Sequence, residues 1–112
     1  MQVRALSRSQ PVSPRKVRLL LEMIEGRPVD EVLTLLEFMP QPSARIVWKA
    51  VKSAASNAEN NFDLDPDGLK VVKAVANDAR MLKRWRPRSR GRPSPLLKRW
   101  SHIEVVVEGD EF

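Results

Sequence analysis

From Arg84 to Arg92 an arginine stands at every second position. In an extended chain successive side chains point to opposite faces, so this spacing puts all five guanidinium groups on one side, whereas helical spacing would scatter them. Pro87, Gly91, Pro93 and Pro95 also disfavour a helix, and Gly91 to Ser94 supplies turn residues near the middle of the segment. The pattern predicts a basic β-hairpin whose two arms, each of about ten residues at about 3.3 Å per residue, project about 30 Å. Trp85 and Trp100 lie almost symmetrically about Arg92 and Pro93. They are expected to pack on one another across the arms, stacking on unpaired bases being the other use for them.

The charge of the chain is concentrated in this segment. Nine basic residues and no acidic one fall between Arg80 and Trp100; the remaining 11 basic and 14 acidic residues leave the rest of the chain at −3, against +6 overall. Such a finger has little apolar material and strong self-repulsion, so alone it should be mobile, and a dense phosphate lattice would order it. Seven of the nine cations are arginines, whose planar fork of donors suits phosphates and bases better than lysine does. A solvated basic linker is the plainer reading of a charge run, but flanking strand signals and tryptophans are not linker features.

Outside the finger the hydrophobic pattern is that of a common globular domain. The chain has 112 residues, 42% of them hydrophobic and 30% charged, enough for one core and one domain spanning 1–112. Ser13 and Pro14 read as the cap and first position of a helix with Val17, Leu20, Leu21 and Ile24 inward and Gly26 as its stop. A second helix, about Pro28 to Phe38, turns Val29, Val32, Leu33 and Leu36 inward and ends before Pro40 and Pro42. A third begins near Ser43 with a stripe of Ile46, Val47, Ala50, Val51, Ala54 and Ala58, and Trp48 at the core or its margin. A polar stretch from Asn57 to Asp67 follows. Leu69 to Ala76 reads as a strand with imperfect alternation, a second has Ile103, Val105 and Val107 alternating with His102, Glu104 and Glu108, and Gln2 to Ser7 is a weaker third. The class is therefore α+β, with a polar tail from Gly109 to Phe112.

Several chemistries are set aside. With no cysteine, disulfides and thiolate chemistry are excluded. Asp63, Asp65, Asp67 and Gly68 open like a calcium loop, but Ala74 holds the twelfth position where a bidentate glutamate is needed, so these residues predict a turn and no metal. His102, the single histidine, and Ser101 point to opposite faces of a strand and cannot act as base and nucleophile; His102 is read as a surface or RNA-contacting residue. Glu22, Glu25, Glu37 and Glu59 are expected to face solvent from helices. No glycine-rich phosphate loop is present, and no apolar run approaches the roughly 20 residues of a membrane span. No enzyme, cofactor or small-molecule substrate is expected.

Five short stretches occur together and in order: Ser13-Pro14-Arg15-Lys16-Val17-Arg18; Lys52-Ser53-Ala54 with Asn57-Ala58-Glu59-Asn60; Lys83-Arg84 with Pro87-Arg88; Gly91-Arg92; and Lys98-Arg99 with Ser101-His102-Ile103. With these the chain resembles, over nearly its whole length, the bacterial-type large-subunit ribosomal protein L twenty-two family. The resemblance implies three helices packed on a small antiparallel sheet of about three strands, and a long hairpin that reaches into ribosomal RNA and helps line the peptide exit tunnel. Carried over by position, it implies RNA contacts at Ser13, Arg15, Lys16, Arg18, Lys83, Arg84, Arg86, Arg88, Arg90, Arg92, Lys98, Arg99 and His102. The implied tunnel tip is Arg88, Ser89, Arg90, Gly91, Arg92, Pro93, Ser94 and Pro95, and Leu82-Lys83-Arg84 matches the family region linked to macrolide response. The chain departs from the family pattern at Ala79-Arg80, where Gly-Pro is usual, at Pro93-Ser94-Pro95, at Trp85 and Trp100, and at Glu25, where a basic residue is common.

The implied partners are large-subunit ribosomal RNA, neighbouring large-subunit proteins and, at the tip, the nascent peptide, on a cytoplasmic or organellar ribosome, with no membrane. Two other classes compete. A free regulatory factor could use the same finger on messenger RNA or duplex DNA, but the helices carry mixed charge and none reads as a recognition helix. A membrane-surface binder would need a basic amphipathic helix with bulky apolar residues opposite, which the chain lacks.

Overall fold

The computed structural model describes residues 1–87 and 93–109, with side chains described throughout these except at Ser9, 80–87 and 93–99. In order the elements are β1 (Gln2–Gln10), α1 (Pro14–Ile24), α2 (Val29–Glu37), α3 (Pro42–Phe62), a single 3-10 turn (Pro66–Gly68), β2 (Lys70–Pro87) and β3 (Pro93–Glu108). The sheet is antiparallel with order β1-β3-β2, so the last strand is the central one.

The helices form where the apolar spacing places them. Val17, Leu20, Leu21 and Ile24 are buried along α1, Val29, Val32 and Leu36 along α2, and Ala44, Val47, Ala50, Val51, Ala54 and Ala58 along α3. Leu33 and Ile46 are only partly buried, and Trp48 sits at the core margin. Part of the polar stretch expected after α3 is helical: Asn57 to Phe62 form its last turns, with Ala58 buried and Glu59 to Phe62 exposed. Gly26, just past α1, has φ +84, and its N–H donates to the Val71 carbonyl at 2.7 Å. A left-handed backbone of this kind favours glycine.

Three rows of side chains cross the sheet on the helix side: Val3, Val107 and Val71; Ala5, Val105 and Ala74; Ser7, Ile103 and Ala76. The step from Val71 to Ala74 spans a bulge between Val71 and Lys73, which explains the imperfect alternation of this strand. A second irregularity lies between Asp78 and Met81, at the root of the hairpin. Beyond it the arms pair in one register from Met81↔Arg99 to Pro87↔Pro93.

That register corrects two expectations. Pro93 and Ser94 lie in β3, opposite Pro87 and Arg86, so the hairpin is centred nearer to Arg90 than to Pro93. Trp85 faces Pro95 across the arms, and Trp100 lies beside the irregularity at the root, so the two are not cross-strand neighbours. Their separation along the hairpin is about five residues, about 16 Å. Gly109 corrects a third: it is buried, and its N–H and carbonyl pair with the Met1 carbonyl and amino group at 3.2 and 3.1 Å. The rest of the expected tail, 110–112, lies outside the described residues.

The outer edge of β2 is sealed by the turn between the first two helices. Val29 N–H donates to the Leu69 carbonyl, Val71 N–H to the Arg27 carbonyl, and Ala74 N–H to Oε1 of Glu25, at 3.0, 2.9 and 3.1 Å. Glu25 was expected to be a solvated helix carboxylate. It is exposed, and as the C-cap residue of α1 its carboxylate also satisfies an edge donor beside the bulge. Glu22, Glu37 and Glu59 are exposed as well.

Candidate RNA interface

The first basic cluster is set by the start of α1. Pro14 and Val17 are buried and orient the turn, which leaves Arg15 and Lys16 exposed. The first turn holds no acidic residue. Ser13 occupies the N-cap position, but its hydroxyl makes no capping bond, so N–H groups at the positive end of the helix dipole stay without a side-chain acceptor. Cations beside such an end attract phosphate.

Arg18 has a task the sequence did not reveal. Its Nε and one terminal nitrogen both donate to the carbonyl oxygen of Ala76, at 3.1 and 2.9 Å. The guanidinium has five N–H donors, so donors remain for a ligand. Ser101 forms a second tie: it is fully buried in β3, and its hydroxyl donates to the Val12 carbonyl at 2.6 Å. The segment from Val12 to Arg18 is thereby held against the root of both hairpin arms. Sequence reasoning placed Ser101 only as facing away from His102; a small polar residue at an inward position of a strand was the available signal.

For the second cluster the structure gives the backbone of the arms. Lys83, Arg84 and Arg86 lie in β2 opposite Leu97, Leu96 and Ser94, and Lys98 and Arg99 lie in β3 opposite Leu82 and Met81. The extended conformation demanded by alternating arginines holds as far as Pro87. Arg88, Ser89, Arg90, Gly91 and Arg92 lie outside the described residues; Pro93, Ser94 and Pro95 begin β3. His102 is half-buried and pairs in register with Asn77, on the sheet face opposite Ser101 and the helices. It is therefore not gathered with Arg15 and Lys16.

The aspartates at the end of α3 are used locally. Asp63 caps the helix with a left-handed backbone at φ 52, and Oδ1 of Asp65 accepts from Asp67 N–H at 3.1 Å within the 3-10 turn. No helix of the described residues is long and apolar enough to cross a membrane.

Basic residues that were not among the expected RNA contacts also stand exposed. Arg45, Lys49 and Lys52 follow one another at helical spacing along α3. On the open face of the sheet Arg4 lies near Glu104, at 3.8 Å, with Lys70 and Lys73 on β2.

Comparison with known proteins fits this geometry. The family model described as Ribosomal protein L22p/L17e matches residues 5–108. The chain is similar to the "Large ribosomal subunit protein uL22" of Dehalococcoides mccartyi, 52% identical over 107 residues, covering 96% of this chain and 98% of that protein. It is 46% identical to the protein of the same description from Finegoldia magna over 112 residues, covering all of both chains. That of Thermoanaerobacter sp. is 49% identical over 111 residues, covering 99% of this chain and all of the relative. With a model match over almost every residue and relatives near half identity end to end, the chain belongs to the ribosomal protein L22p/L17e family.

Proposed function

We propose that this ribosomal protein is a structural constituent of the large ribosomal subunit, acting as one domain that binds large-subunit ribosomal RNA and assists its assembly. The family is structural and non-enzymatic. The observation that carries the RNA reading is the double tie at the hairpin root: Arg18 to Ala76 and Ser101 to Val12 fasten the Ser13–Arg18 cluster to the arms bearing Lys83, Arg84, Arg86, Lys98 and Arg99. The ties join two basic elements about 65 residues apart in sequence at the root of the hairpin, an arrangement suited to pinning RNA segments that are themselves distant. Arg88, Arg90 and Arg92 add phosphate contacts, and His102 adds a contact from the other sheet face.

The tip, from Arg88 to Pro95, reaches the wall of the peptide exit tunnel and meets the nascent peptide there. Neighbouring large-subunit proteins are further partners, on the cytoplasmic ribosome of a bacterium. The mechanism is charge neutralisation, with arginine donors replacing the counterions that phosphate groups otherwise hold. Sedimentation of a tagged copy through a sucrose gradient in high salt tests the proposal, since loosely held basic proteins dissociate as salt competes for phosphate. Stoichiometric retention on the large subunit is expected; migration to the top of the gradient, or with other RNA, would overturn it.

A further inference from the structure

Where α2 ends and α3 begins, the chain forms an open groove of about 550 Å³, with Met39, Pro40, Pro42, Trp48, Arg45 and Glu37 among its lining residues. Its walls are mostly apolar, and Phe38 beside it is 80% exposed, an unusual position for a phenylalanine. Arg45, Lys49 and Lys52, spaced by four and then three residues, lie on one exposed face of α3 that leads away from the groove. The first turn of α3 holds no acidic residue and Gln41 makes no side-chain capping bond, so the positive end of a 21-residue helix adds to the same field.

From this juxtaposition we infer that the groove is a second RNA site, which takes one unpaired nucleotide: the base enters against Trp48, and the phosphates on either side lie along Arg45, Lys49 and Lys52. The inference rests on the ribosomal reading and adds a contact surface away from the hairpin and the start of α1. Charge decides the occupant. An apolar groove alone would suit a protein segment equally, but three cations in a row with a tryptophan between the first two are the combination that holds single-stranded nucleic acid, the aromatic supplying a stacking surface and the cations tracking the backbone. The volume lies within the range of small-ligand sites. Glu37 at the rim is the one carboxylate lining the groove. It accepts hydrogen bonds only, which favours a base that presents an amino group, such as cytosine.

The test is filter binding of the full chain to large-subunit ribosomal RNA across a salt range, comparing the wild type with the triple variant R45A/K49A/K52A and, separately, with Trp48→Leu. The three cations are exposed, so the triple variant keeps the fold, which circular dichroism checks. It is expected to bind more weakly and to reduce the slope of log affinity against log salt by about 2 to 3, one phosphate per cation. Trp48→Leu, which keeps apolar volume, is expected to lose about tenfold or more in affinity with the salt slope unchanged, because stacking is not ionic. A triple variant with wild-type affinity and slope overturns the inference. So does one that binds RNA normally yet fails to enter large subunits, since the groove would then hold a protein. Failure of the wild type to bind this RNA is a separate result that would sink the ribosomal reading itself.

Discussion

Arg18 on α1 grips the carbonyl oxygen of Ala76 on β2 with two N–H groups of one guanidinium, at 3.1 and 2.9 Å. Ala76 lies two residues before Asp78, where the regular pairing of β2 with β3 is interrupted. The contact therefore fastens the last bonded position of the sealed edge, just before the chain leaves the core. Arg18→Ala is expected to destabilise the free protein by about 1 kcal/mol, the usual net worth of such bonding at a partly exposed site. Urea unfolding measures this, and Arg18→Lys, lacking the fork, should recover only part of the loss.

Arg15 and Lys16 make no comparable tie, so their charge is available to phosphate. Alanine at either position should leave the unfolding midpoint within error and lower the salt slope of ribosomal RNA binding by about 1. The two side chains separate cleanly from Arg18 in this respect: one substitution moves stability first, the others move binding alone.

Ser101 is the buried polar side chain among the described residues, and its hydroxyl meets the Val12 carbonyl at 2.6 Å. Ser101→Ala would remove the donor to that partly buried carbonyl, at a cost of about 1 kcal/mol. Thermal unfolding reads the loss. An unchanged midpoint would show that solvent reaches Val12 in the variant.

Two glycines should respond to alanine for opposite reasons. At Gly26 an added Cβ meets nothing within 4 Å, but φ is +84, so Gly26→Ala is expected to cost about 1 kcal/mol through the backbone alone, and Gly26→Asn less. At Gly109 the new Cβ would stand 2.6 Å from Cδ2 of the buried Leu69. Gly109→Ala should cost about 1 to 3 kcal/mol by overpacking. A double-mutant cycle with Leu69→Ala separates the cases: the Gly109 penalty should largely vanish in that background, and the Gly26 penalty should persist.

The helices were legible in the sequence because each buries one stripe, and period 3.6 is written directly into Val17, Leu20, Leu21 and Ile24 or Ala50, Val51, Ala54 and Ala58. The strands were legible as strands but not as partners. Alternation says that Val105 and Val107 face inward, yet it carries no information on which residue stands opposite. Register here follows from two bulges and from the pairing of Val71 with Val107, which is why the symmetry of Trp85 and Trp100 about Pro93 misled. The bond that exposed Glu25 accepts from Ala74 was missed for a related reason. A surface carboxylate at a helix end gives no sign that a bulged strand edge will bring a bare N–H to it. Of the basic surfaces, the finger announced itself by density, while Arg45, Lys49 and Lys52 are diluted among neutral residues and become one row only when wound on α3.

Because β3 runs unbroken from Pro93 to Glu108 and is the central strand of the sheet, the finger and the middle of the fold are one continuous piece of backbone. Tension applied to the finger, by folding RNA or by a growing subunit closing around it, is drawn along that strand. Because β2 is the other arm and is drawn the same way, the ladder loaded in shear is that between β3 and β1, whose hydrogen bonds share the force instead of parting one after another. The protein is built as an anchor whose shank passes through its own centre.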